Sequence, residues 1–146
     1  MYSLEEMLSK LDNLNSSDKP LWGKMTAQHM VEHLSNSFKM ASGKLTFPSE
    51  VQETVFERMQ AFLMSEKPMA KNIQVAFAPE NEPLRHEELE LAIDEFAEEW
   101  INFLEEFEGN LAKTTPHPYY GELSFELWNR LHKKHVQHHF EQFGLL

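Results

Sequence analysis

The stretch HKKHVQHHFEQFG, His132 to Gly144, holds four of the chain's eight histidines. Ser124 ahead of it suits a helix N-cap and Gly144 suits a helix stop, so the stretch reads as the second half of one helix ending near Phe143. Each helical residue advances by about 100°. With His135 at the origin, Trp128, Leu131, His139 and Gln142 fall within roughly 40° of it, and His132 and His138 lie roughly 60° to either side. Trp128 and Leu131 mark this stripe as the inward one. His135 and His139 are then an i, i+4 pair on a buried face, where two imidazoles can converge on one divalent ion. Two packed histidines bonded to carbonyls satisfy the same spacing, so a metal site needs a third ligand.

The rest of the chain is patterned almost entirely for helices. Ser3 and Glu6 form a capping box ahead of Leu4, Met7, Leu8, Leu11 and Leu14, a helix expected to end near Asn15. Thr26 caps a second helix to about Ala41, with Met30, Leu34, Phe38 and Ala41 inward and Gly43 ending it. A shorter helix is expected from Pro48 and Ser49 through Val51, Val55, Phe56, Met59, Phe62 and Leu63. The segment SEKPMAKNIQVAFAPENEP has three prolines and no helical period, which suggests a long irregular crossover. A strand at IQVAF would have nothing to pair with. Glu87 to Phe107 is the clearest helix, with Leu89, Ile93, Phe96, Ala97, Trp100, Phe103, Leu104 and Phe107 on one face and no polar residue inward. TTPHPYYGE reads as a loop. The expected architecture is one all-α domain over residues 1–146: a four-helix bundle with a long crossover connection and an extra short helix.

Composition narrows the function classes. The formal net charge is −11, with no basic patch, a field that repels phosphate backbones and disfavours nucleic acid. There is no apolar run of about 18 residues for a membrane span, and the N-terminus has no signal-peptide core. The absence of cysteine removes disulfides, thiolate zinc sites and cysteine nucleophiles, and fits a cytoplasmic protein.

The third ligand comes from the second helix. His33 borders its apolar stripe and completes a three-histidine site if the second and last helices are neighbours. His29 lies further round, toward solvent, and His86 reads as solvated. Three imidazoles facing an apolar helix leave a coordination position open, as catalytic sites do. The glutamate of a His-Glu-x-x-His peptidase is missing, and Glu32 and Glu141 are expected to point away. His138 and His117 are the candidates for proton handling. His117 lies in the rigid aromatic loop ahead of the last helix, where anchoring the loop is the competing role. Met30, Met40, Trp128 and Phe103 are the expected pocket lining.

The stretches WGKMTAQHMVEHL (22–34) and HPYYGELSFELWNRLHKKHVQHHFEQFG (117–144) together resemble the DinB-like metalloenzyme superfamily, and most closely a branch known only as a domain of unknown function. The resemblance implies a four-helix bundle of unusual connectivity. It also implies a divalent metal, zinc or nickel first, held by His33, His135 and His139. Relatives in that superfamily include thiol-dependent transferases and an isomerase, and many dimerise. Those relatives often carry His-Arg-Gly-Gln where this chain has His139-Phe-Glu-Gln, which weakens carry-over of a thiol cosubstrate that depends on the arginine. The expected function is therefore a metal-dependent transferase, isomerase or hydrolase acting on a small molecule, with an activated water or thiol as nucleophile. The rival expectation is a non-catalytic metal-binding or auxiliary interaction domain, linked through the resemblance to aromatic acid catabolism of the phenylacetate type.

Overall fold

Local capping sets where three of the five helices begin. The computed structural model describes residues 2–79 and 82–146. Ser3 and Glu6 exchange hydrogen bonds in a capping box at the start of helix α1 (Leu4–Leu11). The Thr26 side chain accepts the His29 N–H at the start of α2 (Ala27–Ser42), and Gly43 ends that helix at φ +86°. A single 3-10 turn over Glu53–Val55 leads into α3 (Phe56–Met64), later than the expected start at Pro48. Ser49 caps nothing there: its hydroxyl donates to the Val51 carbonyl at 2.7 Å. Helix α4 spans Leu89–Phe107, and α5, capped by Ser124, spans Phe125–Gln142.

The expected all-α four-helix bundle is overturned. Between α4 and α5 an antiparallel hairpin joins β1 (Thr114–His117) to β2 (Gly121–Ser124), so the fold is helix-dominated but mixed. The dense Pro, Tyr and Gly content of TTPHPYYGE reads as a loop. Its two flanks nevertheless alternate in burial, with Thr115, His117, Gly121 and Leu123 inward. That period-2 alternation is the strand signal. A two-stranded ribbon leaves each strand a free edge, which makes Pro116 tolerable within β1. Gly121 closes the turn at φ +77°, and a Cβ there would meet the Phe56 ring at 2.7 Å.

Helix α2 is the axis of the molecule. It packs chiefly on α4 and also on β1 and α5. It therefore has almost no solvent face: Ala27, Met30, Val31, Leu34, Phe38 and Ala41 are fully buried, and Glu32 is 3% exposed. Helix α4 faces this axis with Ala92, Phe96, Trp100, Phe103 and Phe107. Two sequence expectations fail on it: Leu104 is exposed, while Glu99 is buried and meets Lys44 at 2.9 Å.

The connection from α3 to α4, residues 65–88, is irregular among its described residues, including the IQVAF segment. It is held down along its length. Lys134 donates to the carbonyls of Ser65 and Lys67, and the Lys71 ammonium sits over the Trp22 ring at 4.1 Å. Phe77 meets Phe47, His117 and Tyr119 with ring centroids 5.5 to 5.7 Å apart. Beyond them, His29 Nε2 pairs with the Glu82 carbonyl at 2.7 Å, and buried Glu32 accepts the Arg85 N–H, also at 2.7 Å. This strap lies over one side of α2 and α5 and roofs the site described next.

Candidate metal centre

Helix α5 presents His135 and His139 one turn apart, and α2 presents His33 across from them. His33 Nε2 lies 2.8 Å from His135 Nε2. One ring nitrogen from each of the three lies within 4.8 Å of the others. Nitrogens sharing one tetrahedral ion at zinc–nitrogen lengths sit about 3.3 Å apart, so small side-chain adjustments suffice to bind one. Burial is the main reason the three rings stay neutral. It lowers His33 to about 4, with the nearby His138 adding to the effect. It also drives His135 and His139 well below their ordinary value, with the neighbouring histidines contributing. Neutral imidazole is the ligating form.

One of the three, His139, has its tautomer set by the protein. The Gln142 amide donates through Nε2 to the Trp22 carbonyl at 3.0 Å, which leaves its Oε1 as an acceptor. That oxygen lies 2.7 Å from His139 Nδ1. Nδ1 must therefore carry the hydrogen, and Nε2 presents its lone pair. Orientation of a ligand histidine through its other nitrogen is the usual support for a bound ion. The donor set, its neutrality and this support all fit a divalent metal.

The three histidines open onto a cavity of 570 Å³ between α2, α3, α5, the hairpin turn and the strap. His138 also lines it, edge-on to His139 and Trp22. Burial pulls the His138 ring below its ordinary value, against the pull of Glu141 and aided by Lys71. His117 lines the opposite wall with Tyr119 and Tyr120. Its Nδ1 accepts the Tyr119 N–H at 3.0 Å, so its Nε2 is the nitrogen that carries a hydrogen. Burial takes His117 down to about 3. Of the expected lining residues only Met40 lines the cavity; Met30, Trp128 and Phe103 are sealed in the core.

A family model matches residues 1–144. The chain belongs to that family, described as protein of unknown function DUF1569. No curated protein and no solved structure matches it. Among the described residues, no helix is long and apolar enough to cross a membrane.

Several polar residues of this family member sit where the sequence does not place them. Glu32 is buried and accepts hydrogen bonds from Gln28, at 2.9 Å, and from the Arg85 backbone, at 2.7 Å. His86 is only partly solvated, with its Nε2 3.3 Å from the Glu95 carboxylate. Glu95 also pairs with Arg85 and Lys39. Burial alone raises the Glu95 carboxyl, but hydrogen bonds and charges from Arg85 and Lys39 outweigh it and hold it at about 2. His132 is 1% exposed, and neither ring nitrogen has a partner among the described residues. The rings of Phe38, Trp100, Phe103 and Trp128 enclose it, and burial lowers it to about 3. Gln142 is the supporting residue sequence reasoning passed over. Its signal was its place three residues after His139 on the same stripe.

Proposed function

We propose that the protein is a metal-dependent enzyme acting on a small molecule, with His33, His135 and His139 as the ligands. One observation carries this reading: three neutral imidazoles converge at the wall of a cavity large enough for a substrate. A divalent ion there supplies Lewis-acid activation of a water or thiol nucleophile near neutral pH.

The chain's own groups have distinct parts in that chemistry. Gln142 keeps His139 in the ligating tautomer. His138 is half-buried beside the ligands and, with its basicity lowered, is neutral at pH 7 and free to accept a proton. His117 acts as a donor: its acceptor nitrogen is occupied by Tyr119, so its Nε2–H can hold an oxygen of the substrate. The strap limits water at the cavity. One histidine on α2 and an i, i+4 pair on α5, followed by Gln142, also support kinship with the DinB-like superfamily.

The test is metal content by plasma mass spectrometry on tag-free protein, beside His135→Ala. The expected result is about one ion per chain in the parent protein, lost in a variant whose circular dichroism still shows the fold. Protein that stays metal-free after incubation with zinc and with nickel would sink the proposal.

A further inference from the structure

The cavity walls say what kind of molecule the site takes. Around the histidines the lining is largely apolar: Met40, Met59, Phe62, Met69, Val75 and Phe77 are among its walls. The two cationic side chains that reach it are already engaged. Lys39 pairs with Glu95 at 2.8 Å, and Arg85 is held between Glu95 and Glu32. Of the other polar groups that line it, the His117 Nε2–H, the Tyr120 hydroxyl and the Asn36 amide are neutral, and the one further charged side chain is the Glu82 carboxylate, which repels an anion. A divalent ion on three neutral imidazoles would keep its double positive charge, and among the described lining residues no other cation lacks a carboxylate partner; the Lys71 ammonium, outside the lining, is engaged over the Trp22 ring. One anionic group is thus welcome at the histidines. A second anionic group elsewhere in the cavity would lose its hydration without gaining a cation, which disfavours it.

We infer that the site takes a small monocarboxylic acid with an apolar acyl or aryl body, its carboxylate at the three histidines and its body among the methionines and Phe77. This rests on the metal-enzyme reading above. Dicarboxylates and phosphorylated acids, which carry a second anionic group, are excluded by the same charge arrangement. Methionine-rich walls adapt to bodies of different shape, so the body is selected by apolarity more than by outline.

The experiment uses the full chain loaded with zinc, and straight-chain monocarboxylates of increasing length measured by titration calorimetry. Each added methylene should tighten binding about fourfold until the cavity is filled, which is the value of about 0.8 kcal/mol per buried CH₂. A dicarboxylate of matched length should bind at least about tenfold more weakly, a difference of about 1.4 kcal/mol. Phe77→Ala should flatten the length dependence while zinc content stays the same. Affinity independent of chain length, or a dicarboxylate that binds as well as its monoacid, would overturn the inference. Zinc content, measured separately, keeps the two readings apart. Full zinc with a flat series overturns the substrate class alone. Protein that takes no metal overturns the carboxylate seat along with the metal reading. In that case matched straight-chain alcohols decide the apolar chamber, which falls if their binding is also independent of length.

Discussion

At the scale of single residues, the candidate site depends on side chains beyond the three histidines. Gln142 reads its own orientation from the Trp22 carbonyl and passes it to His139. Gln142→Leu should keep the fold and weaken zinc affinity by about 10- to 100-fold, measured by competition with a chromophoric chelator. An unchanged affinity would show that His139 does not depend on this contact. Gly121 is constrained twice, by its φ of +77° and by the Phe56 ring against its α-carbon. Gly121→Ala should cost about 1–3 kcal/mol in urea denaturation, since backbone strain and a displaced ring add together. The spacing of His135 and His139 was legible in the sequence because helical geometry is local. The caging of His132 was not, because its rings come from α2, α4 and α5 together.

At the scale of elements, the hairpin and the strap add the walls that turn a helix pair into a cavity. The hairpin sets His117 against the cavity, and the Thr115 hydroxyl joins it to α2 and α5. That hydroxyl donates to the Ala41 carbonyl at 2.8 Å and accepts from Trp128 Nε1 at 2.7 Å. The strap depends on Glu32. Its carboxylate accepts the backbone N–H of Arg85 and faces the Arg85 guanidinium at 3.8 Å. Glu32→Leu removes the acceptor, and a buried donor left without one costs about 1–3 kcal/mol, so the strap should lift and hydrate. Hydrogen exchange should then quicken across residues 65–88 while the cores of α4 and α5 stay protected. Uniformly faster exchange would mean that Glu32 supports the whole fold instead. No sequence pattern marks this role. A glutamate beside His33 looks like a solvated helix residue until α2 proves to be surrounded.

At the scale of the whole molecule, buried histidines make stability depend on pH, and metal binding at the proposed site would follow the same dependence. His33 is lowered to about 4, and His117 and His132 to about 3, with burial the leading cause in each. Unfolded, each regains an ordinary value near 6.5. Between those values the unfolded chain binds more protons than the folded one, so stability rises with pH. The contribution is complete above about 6.5 and is lost as pH falls toward the folded values of about 4 and 3. Urea denaturation of chelator-treated protein should show this loss. Zinc should raise the midpoint at pH 7 and progressively less toward pH 5, because protons compete for the same nitrogens. A zinc effect that persists at low pH would argue for ligands other than histidine.

Local sequence was enough to place α2, α4 and α5, the caps at Ser3, Thr26 and Ser124, the stop at Gly43 and the His135–His139 pair, though not the end of α1 or the start of α3. Each of these follows from residues within a turn or two of one another, where dihedral preference and 3.6-residue periodicity decide. Tertiary structure alone decided that α2 has no free face, that TTPHPYYGELS pairs with itself against α2, and that the strap closes over the histidines. Those outcomes depend on which distant surfaces exclude water from one another. Such burial turns Glu32 into an anchor, Gln142 into the partner that orients His139 and His132 into an enclosed neutral ring.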